Sequence, residues 1–379
     1  MIENLNAKQA LIVLNGLPSL GPVSRRRLLD AFDNDPTKVL SADVKTLQQV
    51  QGIGPQIAKG AASWADNFDL AKEEQRMIDH GVDFVCSDED DYPPLLKEIY
   101  DPPAGIYFKG PARPKLKTVG IIGTRHCTLY GQAVAKRLGS DLARLGFCVV
   151  SGMARGIDTA AHQGALEANG ETVAVLGCGV DIIYPPENLD LYRQITESGA
   201  VISELPFGTP PTRNTFPMRN RVISGISQAI VVVESAASGG SMITARFAGE
   251  HGRHLLAVPG RIDQEASQGC HQLIRDGAVL MTSIDDLLEE LSYAGNQAEL
   301  DLSPGAKAVS LPENWEKGLS SDEKTILHTL IEGDTLMPDK IAESTKLPIS
   351  GVAATLLMLE LKKRVVKHAD GRFEARFSM

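Results

Sequence analysis

The sequence is poor in aromatic residues, 5% of 379, and has no basic excess: 38 Lys and Arg stand against 48 Asp and Glu, a net −10 at pH 7. That balance excludes a protein whose whole surface clings to nucleic acid or anionic lipid, so a polyanionic partner would have to be held at a focused site. No apolar run approaches the ~18 residues of a membrane helix, and the opening MIENLNAKQ lacks the basic flank and apolar core of a signal peptide. A cytoplasmic protein without a membrane partner is expected. The five cysteines, at 86, 127, 148, 178 and 270, form no C-x-x-C pair, and the closest two lie 21 positions apart. Zinc-site spacing and a disulfide scaffold are excluded, leaving buried small hydrophobes. There is no short repeat among the 35 glycines and 21 prolines, and 43% hydrophobic residues suffice for a core, so low-complexity and disordered classes fall away. At about 150 residues per domain, the length calls for two or three modules.

The expected organisation has four parts: a helical domain over 1–65, an α/β domain over 66–291, a linker over 292–320 and a winged helix over 321–379. In the first, Leu17-Pro-Ser-Leu-Gly-Pro22 returns 33 positions later as Val50-Gln-Gly-Ile-Gly-Pro55, each copy joining two helical stretches. This is the pattern of a helix-hairpin-helix, whose tight turn brings amide N–H groups to a DNA phosphate, with Arg25, Arg26 and Arg27 following the first copy. The same pattern also suits a packing domain that has kept the turn and binds nothing. Residues 66–117 read as an acidic, proline-punctuated connector with a short extended piece. From 118, β-rich apolar runs at 118–122, 148–150, 172–176, 200–202, 229–233 and 254–258 alternate with helical periods. That alternation predicts a doubly wound, Rossmann-like parallel sheet, with the functional loops leaving the carboxyl ends of the strands.

A G-x-G-x-x-G dinucleotide fingerprint is absent, and no cofactor or metal is implied. The first strand instead ends in Gly123-Thr124-Arg125, where a guanidinium next to a hydroxyl makes an anion clamp. The second gives Ser151-Gly152-Met-Ala-Arg155-Gly-Ile-Asp158, small residues that let amides approach a ligand, with Asp158 favourable to a helix N-terminus. His162 falls on an Ala/Leu-rich helical turn and reads as core, and without a G-x-S-x-G elbow Ser151 is no nucleophile. In Phe216-Pro-Met-Arg219-Asn220-Arg221, arginines flank an aromatic, a mixture that suits a single strand: charge for the backbone, a ring for a base. The fifth strand exits into Ser238-Gly239-Gly240-Ser241-Met-Ile-Thr244-Ala-Arg246, a second phosphate cradle at a helix start. Glu204 and Glu234 follow the fourth and fifth strands, where a hydrolase could keep an acid and a base.

Together with Tyr184-Pro-Pro-Glu-Asn188, Ser203-Glu-Leu-Pro206, Val258-Pro-Gly260 and Gly269-Cys-His-Gln-Leu-Ile-Arg-Asp-Gly277, these motifs resemble, in order, the DNA-processing protein DprA (Smf) family over about residues 92–285. The resemblance implies an extended Rossmann domain between a sterile-alpha-motif-type helical domain and a winged helix. It further implies a non-catalytic protein that binds and protects single-stranded DNA entering the cell during natural transformation, loads RecA on it, and forms a homodimer through the Rossmann domain. Carried over by position, Arg125 is the first expected DNA contact and Arg219 and Arg221 the next. The remaining expected contacts are Gly123, Thr124, Ser151, Gly152, Arg155, Asn188, Phe216, Asn220 and the 238–246 loop. Some relatives carry a lysine in the Tyr-Pro-x-x-Asn loop; here 186–189 reads Pro-Glu-Asn-Leu.

The chain is also similar to the lysine-decarboxylase-like nucleotide phosphoribohydrolases, whose P-G-G-x-G-T-x-x-E loop overlays 238–246. The catalytic glutamate of that pattern falls on Arg246, which favours the binding module over the enzyme. In the terminal winged helix the third helix, from Ile349, has no base until Lys362, and 321–379 holds nine acids and nine bases. A protein-interaction or packing module is therefore expected there rather than a duplex reader. Residues 118–291 carry 13 bases, twelve of them arginine, against 18 acids. Such a domain needs a narrow arginine-lined pocket with repulsive surroundings, which favours a threaded single strand over a duplex.

Overall fold

A computed structural model describes residues 5–18, 20–298, 319–330, 336–362, 364–367 and 372–375. The chain divides into two compact units, Met1–Leu300 and Asp301–Met379. The first opens with helices α1 Ala7–Gly16, α2 Pro22–Ala31, α3 Pro36–Ser41, α4 Val44–Gln48, α5 Pro55–Ala62, α6 Trp64–Asn67 and α7 Leu70–His80. Asn6 and Gln9 cap α1 reciprocally, whereas α2 and α5 each start with a glycine N-cap and a proline at the first helical position, the chemistry of the internal repeat. Leu14, Leu28, Val39, Leu47 and Trp64 form the core of this module.

Nine strands follow: β1 Val82–Cys86, β2 Gly105–Lys109, β3 Thr118–Ile122, β4 Cys148–Ser151, β5 Thr172–Val175, β6 Ala200–Ser203, β7 Ala229–Val232, β8 His254–Ala257 and β9 Val279–Leu280. Between and after them lie α8 Pro94–Lys97, α9 Leu129–Arg144, α10 Ile157–Glu167, α11 Leu189–Ser198, α12 Thr215–Ile226, α13 Gly240–Glu250, α14 Glu265–Arg275 and α15 Ile284–Ala298. They form one sheet in the order β1-β2-β6-β5-β4-β3-β7-β8-β9, parallel from β6 through β9. The six expected runs are all strands, and the winding reverses between β3 and β7. Alternate residues feed two cores. Val150, Ile202 and Ile230 meet α8, α12, α13 and α14 on one face, and Val119, Ile121 and Val231 meet α9, α10 and α15 on the other.

The connector differs from its reading. β1 and β2 form an antiparallel pair that continues the sheet beyond β6, because the buried Phe84 and Tyr107 need a partner face. That face is the helical module: Leu11, Ile12, Phe84, Tyr107 and Phe207 share one cluster, and the Tyr107 hydroxyl donates to Glu73 at 2.8 Å. A buried ion cluster reinforces the join. Glu204, at the end of β6, accepts from Arg221 Nη2 at 2.6 Å and faces Arg25 of α2 at 3.5 Å. Helix α15 also runs on through Ala298, into the stretch read as a linker; no proline interrupts it before Pro304, and 299–318 lie outside the described residues.

The second unit contains α16 Ser321–Leu330, α17 Pro338–Thr345, α18 Ile349–Leu361 and the antiparallel pair β10 Val365–Lys367 and β11 Phe373–Ala375. Ile326, Leu330, Ile341, Val352, Leu356 and Phe373 make its core. This is the expected winged helix; its Asp370-Gly371 turn lies outside the described residues.

Replacing Glu204 by glutamine leaves the buried Arg25 guanidinium without its anion and Arg221 with Asp101 alone, and unfolding in urea should show a loss of about 3–5 kcal/mol. A second outcome concerns His162, fully buried in α10. Its Nδ1–H donates to Thr172 Oγ1 at 2.7 Å, whose own proton goes to the Val149 carbonyl. Burial pushes its pKa down from 6.5 to about 3. The folded state then holds fewer protons than the unfolded state between those values, so this contribution is complete above pH 6.5 and is lost as pH falls. The loss approaches ~1.4 kcal/mol per pH unit. Urea midpoints between pH 7 and pH 5 should fall less steeply for His162→Gln than for the parent.

Candidate nucleic-acid interface

The reversal of winding between β3 and β7 opens a crevice at the carboxyl edge of the sheet, where an open α/β fold binds ligands. A cleft of about 620 Å³ lies there, lined by 20 residues. Gly123, Thr124, Arg125 and His126 come from the exit of β3, and Ala154 and Asp158 from the loop after β4 and the start of α10. Phe216, Arg219 and Asn220 come from α12, and Gly239, Gly240, Ser241 and Thr244 from the start of α13. Three helix N-termini, α10, α12 and α13, thus face one space; no N-cap side chain bonds to any of them, and at α12 the Thr215 amide donates to Thr212 Oγ1 at 3.3 Å. Aligned helix dipoles make such a space attractive to anions without any lysine.

The centre of the cleft is a stack. Arg125 is exposed and lies over the Phe216 ring at 5.0 Å, and the Tyr184 ring is 5.7 Å from that of Phe216. Below it, Arg219 is buried, 7% exposed. Its Nη1 donates to the Gly152 carbonyl at 2.6 Å and to that of Val175, and its Nε donates to Asn220 Oδ1 at 3.1 Å. A Cβ at Gly152 would force the Arg219 guanidinium out of these bonds. Burial lowers the Arg219 pKa, opposed by Asp158. Asp158 accepts from the amides of Gly152 at 3.1 Å and Ala154 at 3.3 Å, and burial raises its pKa against the pull of Arg219. Gly156, at φ +76°, turns the same loop against Thr124.

Ten of the seventeen sequence-predicted residues line this cleft: Gly123, Thr124, Arg125, Phe216, Arg219, Asn220, Gly239, Gly240, Ser241 and Thr244. Seven do not. Arg221 points away from the cleft, buried at 3% exposure between Glu204 and Asp101; two positions along a helix from Arg219, it cannot share that face. Ser151 is buried and donates to the Ile121 carbonyl at 2.6 Å, and Gly152 lies beneath Arg219. Asn188 is buried and donates to Met153 O and Thr159 Oγ1, both at 2.9 Å. Arg155 pairs with Glu187 beside the cleft. Ser238 is exposed outside it, and Arg246 is an exposed i,i+4 partner of Glu250 at 3.3 Å. Sequence reasoning had missed Arg213, His126 and Tyr184 as cleft residues. Arg213 stands three positions before Phe216, a signal that was available.

The two carboxylates considered for acid–base work are committed elsewhere. Glu204 belongs to the ion cluster, and Glu234 accepts from the Thr128 amide at 2.9 Å and hydroxyl at 2.6 Å at the start of α9. Asp158 is the only acid among the described residues lining the cleft.

The model of the DNA recombination-mediator protein A family matches residues 83–292, and that of the DprA winged helix domain matches 311–371. The chain belongs to the DprA (Smf) family. It is 32% identical to Protein Smf of Synechocystis sp., over 98% of this chain and 100% of that one. DNA processing protein A of Streptococcus pneumoniae, solved by X-ray crystallography, superposes with a TM-score of 0.66 at 32% identity, covering 76% of this chain and 98% of that one. The DNA processing protein A of Helicobacter pylori, solved to describe its single-stranded DNA binding mode, gives a TM-score of 0.51 at 29% identity, covering 56% and 96%. A role in DNA processing follows from the family. Among the described residues no helix is long and apolar enough to cross a membrane.

Asp158→Asn should lower stability by about 1–3 kcal/mol in urea unfolding, since one amide acceptor and the counter-charge of Arg219 weaken together. Arg246→Ala, which removes an exposed helical pair, should leave the midpoint in place.

Proposed function

We propose that this protein is a single-stranded DNA-binding recombination mediator that protects incoming DNA and loads RecA on it during natural transformation. The strand enters the cleft between β3 and β7. The observation that carries this is the stack of Arg125 on Phe216 among three helix N-termini: a platform for a base surrounded by positive helix ends for its phosphates. The binding described for the H. pylori relative supports it. An acid-rich unit with one such cleft favours a strand threaded through a point over a duplex laid on a surface.

In this reading residues 66–291 take the strand, and two copies act on it as a homodimer through the Rossmann domain. The winged helix over 321–379, beyond a linker within 292–320, serves as a protein-interaction or packing module. Its α18 exposes Ile349, Leu357, Met358 and Leu361 instead of base-reading polar side chains. No catalytic step is assigned, in keeping with the engagement of Glu204 and Glu234, and the work is cytoplasmic.

Arg125→Ala and Phe216→Ala should each weaken binding of an oligo(dT) strand by about tenfold or more at fixed salt, since stacking on one ring accounts for ~1–3 kcal/mol per base. Arg125→Ala should also flatten the salt dependence, whereas Phe216→Ala should not. Wild-type affinity in both variants, measured by fluorescence anisotropy, would place the strand elsewhere.

A further inference from the structure

Beside the cleft, the loop after β4 meets the turn before α11 through a single ion pair, Arg155 Nε to Glu187 Oε1. The two side chains are half exposed, 47% and 50%. Such a pair adds little to stability, because water solvates each charge nearly as well as its partner does. Its place in the molecule is more telling. Tyr184 lies against the Arg155 guanidinium and packs 5.7 Å from Phe216, which carries Arg125 at 5.0 Å. Arg155 therefore ends a row of side chains that begins at the base platform, one tyrosine ring away from it. Its chain neighbour Ala154 lines the cleft. The Glu187 carboxylate offers the guanidinium two oxygens and a negative charge, the features it would also find in a phosphodiester.

We infer that Glu187 is a resident stand-in for DNA: a backbone phosphate of the bound strand, next to the base at Phe216, displaces the Glu187 carboxylate and takes over the Arg155 guanidinium. The inference rests on the single-strand reading above and adds to it one phosphate contact and that contact's competitor. Until a strand arrives, Glu187 keeps Arg155 aimed. Once displaced, its charge stands beside the strand and works against retention. Arg155 and Glu187 together thus set how tightly this side of the cleft holds DNA.

The test is a double-mutant cycle on the full chain, with oligo(dT) of about 20 nucleotides over a salt series. Glu187→Gln should tighten binding several-fold and steepen the salt slope by up to ~0.7, the increment for one phosphate on a single strand. Arg155→Ala should weaken binding several-fold, and the double variant should match Arg155→Ala, with the gain from Glu187→Gln gone. Equal gains from Glu187→Gln with and without Arg155 would overturn the inference, leaving Glu187 as a general repulsive charge. So would an Arg155→Ala protein with unchanged affinity and slope. Arg125→Ala, measured alongside, separates the two levels. If it binds like the parent, the cleft reading fails and this inference with it; if it loses affinity while Arg155→Ala does not, the exchange alone fails. Melting temperatures close to the parent's are expected for both half-exposed sites.

Discussion

The loop after β4, the end of β5 and the helix that carries Phe216 are registered on the guanidinium of Arg219. Its donors reach the loop after β4 through Gly152 and the end of β5 through Val175, and its counter-charge Asp158 opens α10. Because the side chain is rooted in α12, these bonds hold the helix bearing Phe216 and Asn220 at a set height over the strand ends. A guanidinium suits this role, since it keeps its charge when buried and spreads its donors in a rigid fork. An arginine that looks like a DNA contact in the sequence is thus first a structural cation, on whose upper side the ligand surface is assembled.

The same arrangement accounts for how the proposed strand site can sit in a chain of net −10. Of the arginines in the sheet domain, several are occupied with acids: Arg221 with Glu204 and Asp101, Arg155 with Glu187, Arg246 with Glu250, Arg261 with Asp263. The positive field of the cleft comes from Arg125, Arg213 and Arg219 together with the three helix N-termini, whose partial charges do not enter a count of Lys and Arg. Net charge is therefore a poor guide to this site. In the proposed reading, the surrounding acids screen the rest of the surface and confine the strand to a narrow opening.

The central sheet was legible because parallel strands buried on both faces read as short apolar runs with helices between them, and the loops at its carboxyl edge followed from topology. The β1–β2 pair was not, since Phe84, Tyr107 and Phe108 lie among prolines and acids whose pattern resembles a connector. The partners of Phe84 and Tyr107, Leu11 and Ile12, come from a helix about seventy to ninety-five residues upstream. Within the cleft, residue type pointed to the loops that line it but not to the orientation of each side chain. Arg219 and Arg221 look alike in Phe-Pro-Met-Arg-Asn-Arg, yet two positions of a helix turn a side chain by about 200° and send Arg221 into the interior. Asn188 and Ser151 show the opposite limit: polar residues in a ligand-binding loop whose hydrogen bonds are spent holding that loop.

The arginine run after the first hairpin repeat shows how far that conversion goes. Arg25 is buried against Asn15 at 2.7 Å and faces Glu204; Arg26 donates to the Tyr100 carbonyl and lies over that ring. Arg27, exposed, lays its guanidinium beside Gly52, whose φ of +83° favours glycine. A triplet that would suit a phosphate in an isolated hairpin is divided among three internal contacts, two of them with the sheet domain. Glu204 takes both Arg25 from the helical module and Arg221 from α12, so the module is tied to the helix that carries the base platform. Displacing Arg25 would leave Glu204 and Arg221 to readjust within a buried site, where an unmatched charge is costly. The hairpin module is thus coupled to the cleft through this shared carboxylate, without itself having to touch the strand.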